Sequence, residues 1–157
     1  MSLLSLASGA SAYRGYEYFK YGKVLRCSER AEQQYEGVVA GRNGASYEVL
    51  IDPAHPRKSR CSCPHAAGRR IICKHIIALF FAAHPEEAEN YRAELVAWQE
   101  EEERRYEKEQ QELLRTVNKM KKAELQEELL RLLEEGPQWQ YKDFLERYGI
   151  WDPYDED

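Results

Sequence analysis

Fifteen residues near the middle of the chain contain most of its metal-binding side chains. The segment CSCPHAAGRRIICKH, residues 61–75, holds three of the four cysteines and two of the four histidines in a chain of 157 residues. Its pairs Cys61/Cys63 and Cys73/His75 give the spacing CxC, nine residues, CxH. Three thiolates and one imidazole form the ligand set of a closed tetrahedral zinc site. The spacing therefore predicts one structural Zn2+ ion per chain.

The elements that must position these four ligands follow from the direction in which neighbouring side chains point. Residues i and i+2 of a strand face the same side, so an extended segment can present Cys61 and Cys63 to one ion. Inside a helix, residues two apart lie on nearly opposite sides, so we expect Cys73 and His75 at the entrance of a helix. The helix dipole would favour the Cys73 thiolate at that position.

Two alternatives stay open from the residues alone. His65 follows Cys63 by two positions and could replace His75 as the fourth ligand, although the helix start favours His75. The CxC pair could instead carry out thiol redox chemistry. Three further side chains of these types are expected outside the site: Cys27 as a buried thiol in a strand, and His55 and His84 as surface histidines.

Short runs of β-branched and aromatic residues follow Gly22 and are separated by turn residues. The runs KVLRCSE, QYEGVVA and SYEVLID predict three antiparallel strands, with Asn43-Gly44 as a hairpin turn. The run RKSRCSC is a candidate for a further strand into the cysteines, and KHIIALFFAAH predicts a short helix buried against the sheet. The aromatic residues between Tyr13 and Tyr21 fit a helix or a strand equally.

From Glu86 onward the sequence is rich in Glu, Arg, Gln and Leu, with no glycine or proline until Gly136. This composition predicts a long helix over about residues 86–117 and two shorter helices over about residues 121–148. We therefore divide the chain into an N-terminal unit, residues 1–84, and a charged helical extension, residues 85–157.

The ligand pattern and its flanks resemble those of the SWIM-type zinc finger, described by CxC, a variable spacer and CxH. In that family a proline commonly follows CxC and an apolar run follows CxH, as Pro64 and IIALFF do here. The segment GYEYFKYGKV is similar to the one that precedes the finger in bacterial members, so the resemblance covers residues 13–84. It implies a stand-alone bacterial-type member with a strand-strand-helix core at residues 47–84 and with Cys61, Cys63, Cys73 and His75 as zinc ligands.

Together these observations predict the α+β fold class. A small antiparallel sheet carries the zinc-stapled strand-strand-helix module, and an all-α C-terminal extension follows it.

The charges of the chain are unevenly divided. Residues 1–84 carry 12 Lys and Arg against 6 Asp and Glu, whereas residues 85–157 carry 11 against 22. Six cations surround the predicted zinc site, and no acidic residue lies between Asp52 and Glu86. Such a cluster either forms a solvated rim or attracts phosphates, with salt-dependent, mostly sequence-independent affinity. The candidate nucleic-acid-binding residues are Arg57, Lys58, Arg60, Arg69, Arg70 and Lys74.

A closed four-ligand site leaves no coordination position for water, which argues against a hydrolase. The motifs of zinc deaminases, Walker-type nucleotide-binding proteins and serine hydrolases do not occur in the sequence. We therefore expect no enzymatic activity and no small-molecule substrate. Two binding functions compete: non-specific contact with a nucleic-acid backbone, DNA above RNA, or an adaptor whose acidic helices bind a protein such as a helicase. The SWIM family is regarded as binding DNA or proteins, so the resemblance leaves both open.

The longest apolar run, Ile76 to Ala83, is much shorter than a membrane span. The N-terminal residues lack the basic start of a secretory signal. We expect no membrane partner and a cytoplasmic location, where cysteine clusters hold metal more often than they form disulfides.

Overall fold

The structure, a computed structural model, describes residues 2–150. It divides into two compact units, Met1–Trp98 and Gln99–Asp157. The elements in chain order are α1 Leu3–Leu6, α2 Gly9–Lys20, β1 Val24–Ala31, β2 Gln34–Ala40, β3 Ser46–Ile51, a 3-10 turn Pro56–Lys58, β4 Arg60–Cys61, α3 Lys74–Ala83, α4 Pro85–Lys119, α5 Lys122–Glu135 and α6 Gln138–Arg147.

The strands form one antiparallel sheet in the order β1-β2-β3-β4. The predicted hairpin turn joins β2 to β3: Asn43 and Gly44 have φ of 54° and 77°, and the amide of Ala45 donates to the carbonyl of Arg42 at 3.1 Å. Positive φ at both central residues is the geometry that suits a two-residue hairpin, and asparagine followed by glycine adopts it readily. The fourth strand is only two residues long and pairs with β3.

Helix α3 packs across the face of the sheet that is turned away from solvent. Its side chains are buried on nearly every side, and they contact Val39, Val49 and Ile51, which alternate toward the same face of β2 and β3. A helix that is apolar all round needs cover on its other sides as well. The helix α2 provides part of that cover, since α2 and α3 pack directly against each other.

The aromatic segment that fitted either a helix or a strand is helical and forms α2. The ring of Tyr16 meets the ring of Phe81 edge-on, with centroids 5.9 Å apart. Gly15 faces α3 so closely that a Cβ at this position would lie 2.5 Å from the Cβ of Ile77. The glycine therefore sets how near the two helices can come.

The first turns of α4 belong to the first compact unit. Ala88 is buried, and the ring of Tyr91 lies 5.4 Å from that of Phe81 and 5.6 Å from that of Tyr16. Leu95 also packs against this core. The unit therefore extends past residue 84, and the division between the two units falls within a continuous helix.

The second unit contains the rest of α4 together with α5 and α6. The helices α5 and α6 contact each other, and Leu133 of α5 is buried. The architecture confirms the predicted α+β class: a four-stranded antiparallel sheet and a Cys3His cluster beside α3, followed by a long helical region. Among residues 2–150, no helix combines the length and the apolar character needed to cross a membrane.

Candidate metal centre

The four predicted ligands come from the end of the sheet and the start of α3. Cys61 is the last residue of β4, and Cys63 lies two residues further along the chain. Cys73 is the N-cap of α3, and His75 lies in its first turn, at the helix entrance that the spacing predicts. All four side chains are buried, and their ligand atoms lie within 4.8 Å of one another.

Three of the six distances between the ligand atoms are close to the edges of a zinc tetrahedron. The Sγ atoms of Cys63 and Cys73 are 3.7 Å apart, and the Nδ1 atom of His75 is 3.7 Å from the Sγ of Cys61 and 3.9 Å from the Sγ of Cys73. Bonds of about 2.3 Å to sulfur and about 2.0 Å to nitrogen give edges of about 3.5–3.8 Å. The donor set and its geometry therefore fit one Zn2+ ion, which would tie β4 to α3.

The turn that carries Cys61 and Cys63 is fixed to the neighbouring strand β3. The backbone amide of Ser62 donates to the carbonyl of Glu48 at 3.0 Å, and the amide of Glu48 donates to the Ser62 hydroxyl at 3.0 Å. Within the turn, the amide of Cys63 donates to the Sγ of Cys61 at 3.4 Å. Hydrogen bonds to β3 and within the turn therefore help to position both sulfurs.

The environment of the cluster favours a thiolate at Cys73. Hydrogen bonding with Cys61 lowers the pKa of Cys73 to about 4, against the effect of burial, and the imidazole of His75 and the backbone amides of the first helical turn add to this. Hydrogen bonding with Cys73 and burial raise the pKa of Cys61 in turn. The hydrogen bond with Cys61 is the main cause of the lowered pKa, and the backbone amides at the helix start act in the same direction, as the predicted position of Cys73 implies.

The imidazole of His75 is oriented by aromatic neighbours. Its Nδ1 atom faces the sulfurs, while its Nε2 atom is buried and has no hydrogen-bond partner within residues 2–150. The rings of Tyr18 and Tyr47 lie with their centroids 5.4 Å and 4.8 Å from the imidazole. Nδ1 is therefore the nitrogen available to the metal.

The other cysteine and histidines lie outside the cluster. His65 is exposed, so the structure does not favour it as a substitute ligand. The prediction of a buried Cys27 is wrong: β1 is an edge strand that exposes nearly all of its residues, and Cys27 is exposed with them. His55 is exposed, as predicted. His84 is not a surface histidine but half-buried, because its ring packs against the rings of Tyr35 and Phe80.

Five of the six candidate nucleic-acid-binding residues line one cavity of about 840 Å³, which we call the basic groove. The groove also contains Arg26 and Arg30 of β1, which the sequence analysis missed. Their spacing of four places both on the same face of a strand, and this pattern could have suggested them. Two carboxylates, Glu36 and Glu48, also line the groove. Its seven cations are Arg26, Arg30, Arg57, Lys58, Arg60, Arg69 and Arg70.

Lys74, the sixth candidate, does not line the groove. Its Nζ atom donates to the Tyr18 hydroxyl at 2.7 Å and lies 4.2 Å from the centre of the Tyr18 ring. It lines a second, smaller cavity beside the metal cluster. The six candidate residues therefore divide between two places.

A buried carboxylate anchors the turn that carries Arg57 and Lys58 into the groove. One oxygen of Asp52 accepts from the backbone amide of His55 at 2.8 Å, and the other accepts from the Gln34 side chain at 3.0 Å. Burial would raise the pKa of Asp52. The hydrogen bonds from His55 and the positive charges of His55 and Lys58 outweigh this effect and hold the pKa below its usual value. An ionised Asp52 thus keeps the turn in place.

A Cys3His centre that joins the end of a small antiparallel sheet to the first turn of a buried helix defines a zinc finger. Residues 47–84 match the family model of the SWIM zinc finger. This segment of the chain is a SWIM zinc finger domain, and its CxC and CxH pairs are the four residues of the cluster. Comparison with curated proteins and with solved structures gives no match.

Proposed function

We propose that the chain binds the phosphate backbone of a nucleic acid, DNA in the first place, through the basic groove. The zinc finger would hold the groove in shape rather than take part in a reaction. The observation that carries this proposal is the contrast between the arginines of the groove and those of α4, α5 and α6.

All six arginines from Arg92 onward form ion pairs with a carboxylate three or four residues away on the same helix. Within residues 2–150, Arg30 is the one groove arginine with an ion pair, which it forms with Glu36 of the neighbouring strand at 3.9 Å. The groove arginines without an ion pair in the described part of the chain are Arg26, Arg57, Arg60, Arg69 and Arg70.

Unpaired guanidinium groups that line one concave surface are suited to phosphate oxygens, because each group presents several N–H donors in a fixed plane. When several of these groups neutralise phosphates, the nucleic acid releases the counterions bound there. The affinity would therefore fall steeply with salt concentration and depend little on base sequence.

The zinc cluster supports this surface directly. Arg69 and Arg70 lie in the loop between the two ligand pairs, and Cys61 itself lines the groove. An ion bound by the cluster would fix both ends of this loop. We therefore infer a structural role for the metal and no enzymatic activity. A site that needs reduced thiols also suits the cytoplasm.

The test compares two adjacent arginine pairs in the zinc-loaded, full-length protein. Arg69→Glu/Arg70→Glu reverses two charges in the groove, and the matched control Arg104→Glu/Arg105→Glu makes the same change of charge on α4. We expect the groove variant to bind a fluorescent DNA duplex at least about tenfold more weakly, with a log–log salt slope smaller by about 2. The control should behave as wild type in the same anisotropy titration.

Equal losses in both variants would indicate only a general charge effect. An unchanged salt slope in the groove variant would contradict the proposal outright, because it would mean that Arg69 and Arg70 release no counterions on binding. A parallel titration with single-stranded DNA and with RNA would define the preferred nucleic acid.

A second candidate function rests on the exposed apolar side chains of the helical unit. Leu129, Leu130 and Leu132 of α5 are 45%, 60% and 53% exposed, and Trp139 of α6 is 69% exposed. Apolar patches on a charged helical surface are typical of protein-binding sites. An adaptor that binds a protein such as a helicase through these helices would therefore place its partner on the second unit.

The adaptor proposal is tested by Leu129→Gln/Leu132→Gln in the full-length chain, with Gln126→Ala/Gln140→Ala as the control. Quantitative mass spectrometry should identify one protein that the wild type and the control retain and the leucine variant loses. If all three chains retain the same proteins in the same amounts, α5 is not the docking surface.

A further inference from the structure

A second cavity, of about 390 Å³, lies beside the metal cluster and shares no lining residue with the basic groove. Cys63, Cys73 and His75 form part of its wall. The loop from Cys61 to Ala66 contributes residues to both cavities and separates them. A volume of this order lies within the range of small-molecule sites.

Three cations from three different segments line this cavity, and no carboxylate does. Arg14 comes from α2, Arg42 from the β2–β3 turn, and Lys74 from the first turn of α3. When zinc is bound, three thiolates and one divalent cation leave a charge of about −1 on the cluster wall. The three cations exceed it, so the cavity keeps a net charge of about +2.

The cations are available to a ligand. Arg14 and Arg42 are exposed, and neither has an ion pair or a side-chain hydrogen bond within residues 2–150. The ammonium group of Lys74 uses one of its three N–H donors on the Tyr18 hydroxyl, and two remain. The Tyr47 ring also lines the cavity and offers an apolar face beside the charges.

We propose that this cavity binds a phosphate monoester dianion, whose charge of about −2 matches that of the cavity, with Arg14, Arg42 and Lys74 as its direct ligands. Such a group is carried by a nucleoside monophosphate or by the 5′ end of a nucleic-acid strand. The proposal does not depend on DNA binding in the groove.

The experiment titrates the zinc-loaded, full-length protein with a nucleoside monophosphate by calorimetry. We expect a Kd on the order of 1 mM or below for the wild type. Arg14→Gln/Arg42→Gln should weaken binding by about tenfold or more. The matched control Arg69→Gln/Arg70→Gln removes two groove cations and should leave this affinity unchanged. Zinc content verifies that each variant is folded.

A wild type that fails to bind the monophosphate would overturn the proposal, and so would an equal loss in both variants. The two sources of the phosphate are separated with oligonucleotides of one sequence that end in a 5′-phosphate or a 5′-hydroxyl. Tighter binding of the phosphorylated strand by the wild type, but not by Arg14→Gln/Arg42→Gln, assigns the site to a strand end. Monophosphate binding without this difference assigns it to free nucleotides. Loss of oligonucleotide binding in the groove control tests the groove separately.

Discussion

The imidazole of His75 is held by packing rather than by a second hydrogen bond. Histidine ligands of metal ions usually donate their remaining N–H to a carboxylate, a carbonyl or water. No such partner lies near Nε2 of His75 within the described residues, and the rings of Tyr18 and Tyr47 enclose the imidazole instead. Burial therefore separates the two candidate histidines: His75 is 4% exposed, whereas His65 lies at the surface.

We expect His75→Ala to lose zinc and His65→Ala to retain one ion per chain. Loss of the metal should lower the melting temperature of the first unit by at least about 10 °C, because ion binding contributes directly to the stability of a small domain. Inductively coupled plasma mass spectrometry gives the zinc content and circular dichroism gives the melting temperature. The ligand assignment is wrong if His65→Ala releases the ion or if His75→Ala keeps it with undiminished affinity.

At the scale of elements, the metal centre depends on where the sheet ends and α3 begins. The two-residue strand β4 brings Cys61 to the sheet edge, and the helix start brings Cys73 and His75 to the same point. The helix α3 can hold this position only if the elements around it pack closely. Gly15 of α2 is one point where this packing leaves no room for a Cβ.

We expect Gly15→Ala to destabilise the protein by about 1–3 kcal/mol, because the added Cβ would meet Ile77 at 2.5 Å and the Lys74 carbonyl at 2.9 Å. This cost opposes a gain in helix propensity of about 1 kcal/mol. The control Gly9→Ala lies in the same helix with nothing within 4 Å of its new Cβ, and it should be neutral or slightly stabilising. Urea unfolding of both variants measures the difference, and equal stability would show that α2 can move away from α3 at little cost.

The sequence predicted the elements whose signals are local. The hairpin turn at Asn43-Gly44 and the buried α3 follow from backbone preference and composition, and the metal ligands follow from their spacing. Burial of single residues depended on sheet order, which no local pattern contains. Cys27 is therefore exposed on an edge strand. The separation of Lys74 from the other cations likewise follows from tertiary contact with Tyr18.

At the scale of the whole molecule, the arginines without an ion pair within residues 2–150 belong to the first unit, whereas the helical unit pairs its arginines with acidic neighbours. The unit boundary after Trp98 does not coincide with the change of sequence character after His84. The residues between them are acidic in composition, yet Ala88, Tyr91 and Leu95 pack on the core that supports the metal centre. Packing and composition therefore change at different points along the chain.

The position of this boundary predicts different behaviour for two shortened chains. A chain that ends after Trp98 should bind one zinc ion, unfold cooperatively and keep the DNA salt slope of the full-length protein, because it retains the whole groove. A chain that ends after His84 should be less stable by about 3 kcal/mol, since it loses the cover that Tyr91 and Leu95 give to Phe81. Zinc content, thermal unfolding and DNA anisotropy on the two chains test this. Equal stability of the two shortened chains would show that α4 adds nothing to the core. Loss of DNA binding by the chain that ends after Trp98 would show that the contact surface lies in the helical unit instead.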